Sequence, residues 1–397
     1  MPLSSTLKKH PNEKLLFIIG FFGNSSFERA IWIIYLVSRG YSLLQIAFFQ
    51  ALLNMSMIIG ELPTGLFGDR YGRKKSLIVG RCLIILYLAS MLLANNSYLI
   101  SLAFVMYGVG LTFISGSDEA LLYDSLKKYG REDKSSKIAG RYLAIITIAT
   151  SVAIGIGGLL QKVSWALIFS ASILTQIIAL LGCICLKEIS FGEHTEHKTL
   201  SSLISETTAF LKLNPRVRML FLGIAIVGGM VSLYYIFSQE LFNKIGVSVF
   251  GVSVIYSMSS LISAFISIKA HVLEKKFSAK TVIMVSLCAL AVFFLMTALG
   301  INVLIIIGFF AIELAFCILD PIAFGIINQQ LPSEQRATLL SAVSFINSLI
   351  MSVLSLVLGY AVNIFDFSFL MGSIGCILIL IGWICISNFF KKLECKS

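Results

Sequence analysis

Gly65-Leu66-Phe67-Gly68-Asp69-Arg70-Tyr71-Gly72-Arg73-Lys74-Lys75 joins two long apolar runs. It crowds one acid and four bases into a tight turn, and each flanking run reaches the ~20 residues that a bilayer requires. An apolar run, a charged turn and a second apolar run cannot share a soluble core, because charge is costly to bury without partners. The stretch therefore reads as a cytoplasmic loop between two membrane helices.

Composition points the same way. Mean hydropathy is +0.92. Apolar residues make up 57% of the chain and charged residues 13%, about half the ~25% usual in soluble domains. The apolar segments are continuous rather than alternating, which excludes a transmembrane barrel. Helices are predicted over 14–37, 42–67, 76–95, 98–126, 137–161, 164–186, 216–242, 248–270, 279–299, 301–328, 334–361 and 366–390. Between the sixth and seventh, Leu200, Leu203, Ile204, Thr207, Phe210 and Leu211 recur at helical spacing and predict an amphipathic helix on the membrane surface. Asn214-Pro215 then starts the seventh span.

The net charge of +11 describes topology. With the N-terminus inside, nearly all Lys and Arg fall on one side: the N-tail, the opening loop with Arg70, Arg73, Lys74, Lys75 and Arg81, the later cytoplasmic loops and the C-tail. The other side keeps only Arg39, Lys162 and Lys244, and Arg29 lies within the first helix. That asymmetry places both termini in the cytoplasm of a plasma-membrane protein. Cations spread around a membrane rim, where lipid headgroups lie, do not make a nucleic-acid surface. No cysteine lies in an external loop, so no disulfide is expected.

The pattern Gly-x-x-x-Asp-Arg-x-Gly-Arg-Lys-Lys, with Gly65, Asp69, Arg70, Gly72, Arg73, Lys74 and Lys75 in register, resembles the signature loop between helices 2 and 3 of the major facilitator superfamily. The resemblance covers essentially the whole chain by topology and a few short motifs by sequence. It implies an all-α polytopic membrane protein, a monomer with twelve transmembrane helices in two six-helix bundles. The bundles would span 1–186 and 216–397, with a cytoplasmic linker at 187–215. One constant shift lays Asp69-Arg70 on Glu274-Lys275, Lys75-Ser76 on Lys280-Thr281 and Ile78 on Ile283, as an internal repeat would. The second copy has Phe277 where Gly72 stands.

Within that family the signature aspartate, here Asp69, approaches the start of helix 11 when the cytoplasmic side is closed. A carboxylate there meets free N–H groups and the positive end of the helix dipole. Leu331-Pro332-Ser333-Glu334-Gln335-Arg336-Ala337-Thr338 opens that helix, and Arg336 either strengthens the latch or adds inside-positive charge. Gly155-Ile156-Gly157-Gly158 resembles the glycine-rich motif of superfamily antiporters without its usual proline. Drug-exporting members commonly carry an arginine where this chain has Phe104.

Acids at membrane depth are the candidate working groups, because leaving charge there is costly. They are Glu28, Glu61, Asp118, Glu119, Glu313 and Asp320. All but Glu61 fall on helices 1, 4 and 10, which with helix 7 line the family's central cavity. Arg29 either pairs with an acid on another helix or tunes Glu28. Glu61, two residues before Pro63, suits packing or gating. Tyr123, in the dense stretch Ser115 to Asp124, and Tyr234 and Tyr235 on helix 7 are secondary candidates. Aromatics near helices 1 and 7 suit either a bulky ligand or lipid. The helix 4 pair is the favoured proton site, since adjacent acids are hard to keep ionised together.

His10, His194, His197 and His271 all lie in cytosolic segments, and Gly72-Arg73-Lys74-Lys75-Ser76 lacks the spaced glycines of a phosphate loop. No enzyme, metal site or cofactor is expected. The resemblance implies secondary active transport by alternating access, as proton-coupled export of small amphipathic or cationic compounds. The alternatives are uptake of a nutrient or metabolite, and a transporter-like sensor without flux.

Overall fold

The computed structural model describes residues 11–189, 200–331 and 336–394. The helices are α1 (Pro11–Gly23), α2 (Trp32–Ser38), α3 (Leu43–Tyr71), α4 (Arg73–Leu93), α5 (Ser97–Ile114), α6 (Ser117–Lys128), α7 (Ser135–Gln161) and α8 (Trp165–Cys185). The linker helix α9 (Leu200–Leu213) follows. The remainder are α10 (Pro215–Lys244), α11 (Val249–Lys276), α12 (Ala279–Ala298), α13 (Asn302–Gln330), α14 (Arg336–Ala361) and α15 (Phe367–Glu394). Among the described residues 11 spans are long and apolar enough to cross a membrane, with α5 and α6 counted as one.

Two predicted helices are interrupted. The fourth breaks at Ser115-Gly116, where Gly116 takes φ +73, a left-handed conformation that costs glycine nothing sterically. The first, expected to run unbroken over 14–37, unwinds between Asn24 and Ile31. Asn24 Nδ2 and Ser25 Oγ donate back to the carbonyls of Gly20 and Phe21, both at 2.8 Å. Such local bonds compete with continuation of a helix.

The signature loop is shorter than a hairpin needs to be. α3 ends at Tyr71, Gly72 alone turns the chain with φ 103, and α4 begins at Arg73. Glycine offers no side chain to cap α4, so the cap comes from elsewhere. Glu188, just after α8, accepts from the Arg73 and Lys74 N–H groups, both at 3.0 Å. Charge-assisted bonds at a helix N-terminus are the stronger kind, worth about 1 kcal/mol or more. Arg73 also pairs with Asp124 at 3.2 Å. The second copy does without the glycine, because Ser278 caps α12 by accepting from Thr281 N–H at 3.1 Å. The repeat shift holds at helix ends, laying Tyr71 on Lys276, Leu93 on Ala298 and Ser97 on Asn302.

The chain divides into two compact units, Met1–Arg29 with Ile59–His197 and Ala30–Ile58 with Lys198–Ser397. The interior of the first includes Leu16, Ile19, Leu77, Leu121, Tyr142 and Cys183. α10 is deeply enclosed within the second, and Tyr234, Phe237 and Phe242 along it are sealed from solvent. Gly223 and Gly382 let α10 and α15 approach closely, as small residues do between membrane helices.

Candidate functional site

The interruption of the first membrane helix is where polar chemistry gathers. An unwound segment leaves backbone groups without helical partners, and lipid offers none. The first unit supplies them from three other helices. Arg81 Nη1 on α4 donates to Gly23 C=O at 2.8 Å and to Gln176 Oε1 at 3.0 Å. Gln176 Nε2 on α8 donates to the same carbonyl at 3.0 Å. Thr175 Oγ1 reaches Ser25 C=O at 3.0 Å, and Thr150 Oγ1 on α7 reaches Asn24 C=O at 3.2 Å. Phe27 N–H donates to Ser172 Oγ at 3.1 Å, and that hydroxyl in turn donates to the Glu28 carboxylate.

Glu28 is buried, 5% exposed, and Arg29 beside it is exposed. Gly157 closes the cradle on the α7 side: a Cβ built there would collide with the Phe27 carbonyl. The glycine run that resembled an antiporter motif thus has a packing reason, since α7 must approach bare backbone. Arg81 was grouped with the cytoplasmic charges in the sequence. Instead it is 2% exposed and ties α4 to the end of α1 and to α8. Ser172, Thr175, Gln176 and Thr150 were not singled out at all, because hydroxyl and amide residues in apolar helices resemble ordinary helix contacts.

The helix 4 acids sit at the start of α6, just past the break. Asp118 accepts from Tyr142 O–H at 2.7 Å and from Glu119 N–H at 2.9 Å, so both its oxygens are engaged. Glu119 is exposed and faces a cleft with Tyr123, which is also exposed. In the second unit, Glu313 on α13 has one carboxyl oxygen, Oε1, sealed from solvent with no hydrogen-bond partner. Asp320 and Glu61 are exposed, Asp320 directly before Pro321 and Glu61 two residues before Pro63, both prolines within their helices.

Tyr234, read as a possible ligand contact, is a core residue with no exposure. Its hydroxyl meets Thr297 Oγ1 at 3.2 Å and its ring packs on Phe294. Tyr235 is half-buried, stacks near Phe309 and accepts the Tyr256 hydroxyl on its carbonyl. A residue absent from the sequence shortlist, Glu240 near the end of α10, is buried and accepts from Asn243 Nδ2 at 2.9 Å. Asp69 and Arg70 are exposed at the end of α3, while Gly65, in the same helix, has nothing near its missing Cβ. The Arg336 side chain, and Pro332 to Gln335 before it, lie outside the described residues.

Apolar spans, interrupted helices and a repeated half define a polytopic helical membrane protein. The Major Facilitator Superfamily model matches residues 15–353 and again 219–393, and the chain belongs to that family. It is 32% identical over 123 residues to the uncharacterized MFS-type transporter YxaM of Bacillus subtilis (strain 168), a match covering 30% of this chain and 31% of that protein. The chain thus spans under a third of that relative's length in the match. Its fold is similar to that of the nucleoside transporter NupG in its D323A mutant form, with a TM-score of 0.79, 14% identity and coverage of 96% and 98% of the two chains. The D-xylose-proton symporter follows at a TM-score of 0.67, again 14% identical, covering 94% and 95%.

Proposed function

We propose that the chain is a proton-coupled secondary transporter that exports small amphipathic or cationic compounds across a plasma membrane. The observation that carries this reading is that, among the described residues, none of Glu28, Glu61, Asp118, Glu119, Glu313 and Asp320 is held in a salt bridge. An acid permanently neutralised by a fixed cation can neither trade protons nor meet a cationic cargo. Uptake is the second reading, favoured by the nucleoside transporter and the xylose-proton symporter among the structural neighbours. It is favoured too by the missing antiporter proline and by Phe104.

Purified protein in proteoliposomes, offered dyes, antibiotics, nucleosides, sugars and amino acids with and without a pH gradient, tests both. Proton-driven movement of a cationic dye against its gradient is the expected result. Accumulation of a neutral sugar or nucleoside alone assigns uptake, and no flux of any cargo defeats transport altogether.

The charge asymmetry supports a cytoplasmic position for both termini. In a cysteine-free background, impermeant thiol reagents added to intact cells are expected to label Tyr98→Cys and Asn302→Cys and to miss Lys134→Cys. Tyr98 is chosen because it is 88% exposed, whereas its neighbour Asn96 caps α5 by accepting from Leu99 N–H at 2.9 Å. Labelling at Lys134 from outside would invert the topology.

A further inference from the structure

A cleft of about 330 Å³ opens within the first unit between α6 and α7, and none of the interactions described above explains it. Its size falls at the lower end of the range of small-molecule sites, roughly 300–1,000 Å³. The wall is mixed. Leu126 and Leu143 supply apolar surface, Tyr123 and Tyr142 are aromatic, Ser135 and Ser136 add hydroxyls, and Glu119 is its one acid. Tyr142 is 1% exposed and its hydroxyl is committed to Asp118 at 2.7 Å, so the accessible ring of the cleft is that of Tyr123. Asp118 itself is spent on that bond and on the Glu119 N–H. The Glu119 carboxylate has no such commitment among the described residues. The basic residues of the same end, Lys134, Lys137 and Arg141, do not belong to the lining. One unpaired negative charge, an exposed aromatic ring and an apolar wall are the combination that recognises an organic cation, by ionic contact, cation–π attraction and apolar burial together.

We propose that this cleft binds a small organic cation with an apolar body, a protonated amine or a quaternary onium ion, with Glu119 as its counter-charge. The inference rests on the export reading only for the identity of the cargo. Binding can therefore be measured without flux.

Tetraphenylphosphonium is the probe, with triphenylphosphine oxide as its neutral counterpart, titrated into the purified full-length chain in lipid nanodiscs. Glu119→Gln is expected to weaken binding of the cation by at least about tenfold while leaving the neutral compound's affinity within about twofold. The charge-conserving Glu119→Asp should keep most of the cation's affinity. Unchanged affinity for the cation in Glu119→Gln overturns the proposal, as does an equal loss for both compounds.

A second measurement leaves Glu119 intact. A single cysteine at Ala139, on the cleft wall, should be shielded from maleimide alkylation by the cation and not by the neutral compound. Equal alkylation with and without the cation also overturns it. Selective binding in a protein that moves no cargo in proteoliposomes would sustain the cleft and defeat the export reading. Flux of a cation whose binding ignores Glu119 would do the reverse.

Discussion

Gly157→Ala is expected to destabilise the protein while Gly140→Ala, on the same helix, stabilises it. Exchanging glycine for alanine inside a helix ordinarily gains about 0.5–1 kcal/mol, because the unfolded chain loses freedom. Gly140 has nothing within 4 Å of its missing Cβ, so that gain should be realised there. At Gly157 the same carbon would fall on the Phe27 carbonyl, which is backbone and cannot rotate aside. Relief requires moving α7 away from the unwound segment, and overpacking of that kind costs about 1–3 kcal/mol. The displacement would also strain the bond from Thr150 to Asn24 C=O and the approach of Phe27 N–H to Ser172. Gly157→Leu should then lose transport and most folded protein. Thermal unfolding in detergent, followed by a thiol-reactive dye, reads the two alanine variants. Midpoints that move in the same direction would show that α7 does not depend on close approach at Gly157.

The parts of this molecule that were legible in its sequence are those where local chemistry decides the backbone. Apolar runs set the spans, and the charged loop with Gly72 set the turn, because only a glycine accepts φ 103 easily and only an aqueous face accepts four cations. Asn214-Pro215 marked the start of α10 for the same reason. The break in the first helix was not legible. No proline or glycine stands between Asn24 and Ile31 to announce it. What stabilises it is a set of partners at Arg81, Thr150, Ser172, Thr175 and Gln176, brought together only by folding. Arg81 is the sharpest case: in sequence it continues a cytoplasmic run of positive charge, yet in the fold it is the strut that holds Gly23 C=O. The break in the fourth helix was half-legible, since a glycine in a membrane span serves close helix packing as readily as a left-handed φ. The constant shift between halves sharpens that point. It lays Pro321 on Gly116, and α13 continues through the proline where α5 stops short of the glycine.

The acids separate by the same kind of accounting, and the separation moves the expected coupling site away from the helix 4 pair. Asp118 accepts two hydrogen bonds at the positive end of α6, so it behaves as a fixed acceptor. Glu119 borders the cleft and Glu28 is tied to Ser172. Glu313 differs from all of these: Oε1 is shut away from solvent and no donor satisfies it. Burying an unpaired charge is far costlier than burying a neutral acid. A side chain so placed is suited to carry a proton while enclosed and to release it when water reaches it, which is what coupling by alternating access demands. On this hypothesis Glu313→Gln, which mimics the neutral acid in shape, should abolish accumulation driven by a pH gradient and leave downhill exchange of cargo measurable. Each unit of gradient is worth about 1.4 kcal/mol per proton, or tenfold accumulation, and that factor should fall to one. Asp118→Asn should keep the tenfold accumulation and lose thermal stability instead, because it weakens the acceptor that Tyr142 and the α6 backbone share. Full gradient-driven accumulation in Glu313→Gln, with its loss in Asp118→Asn or Glu28→Gln, would return the coupling site to the first unit.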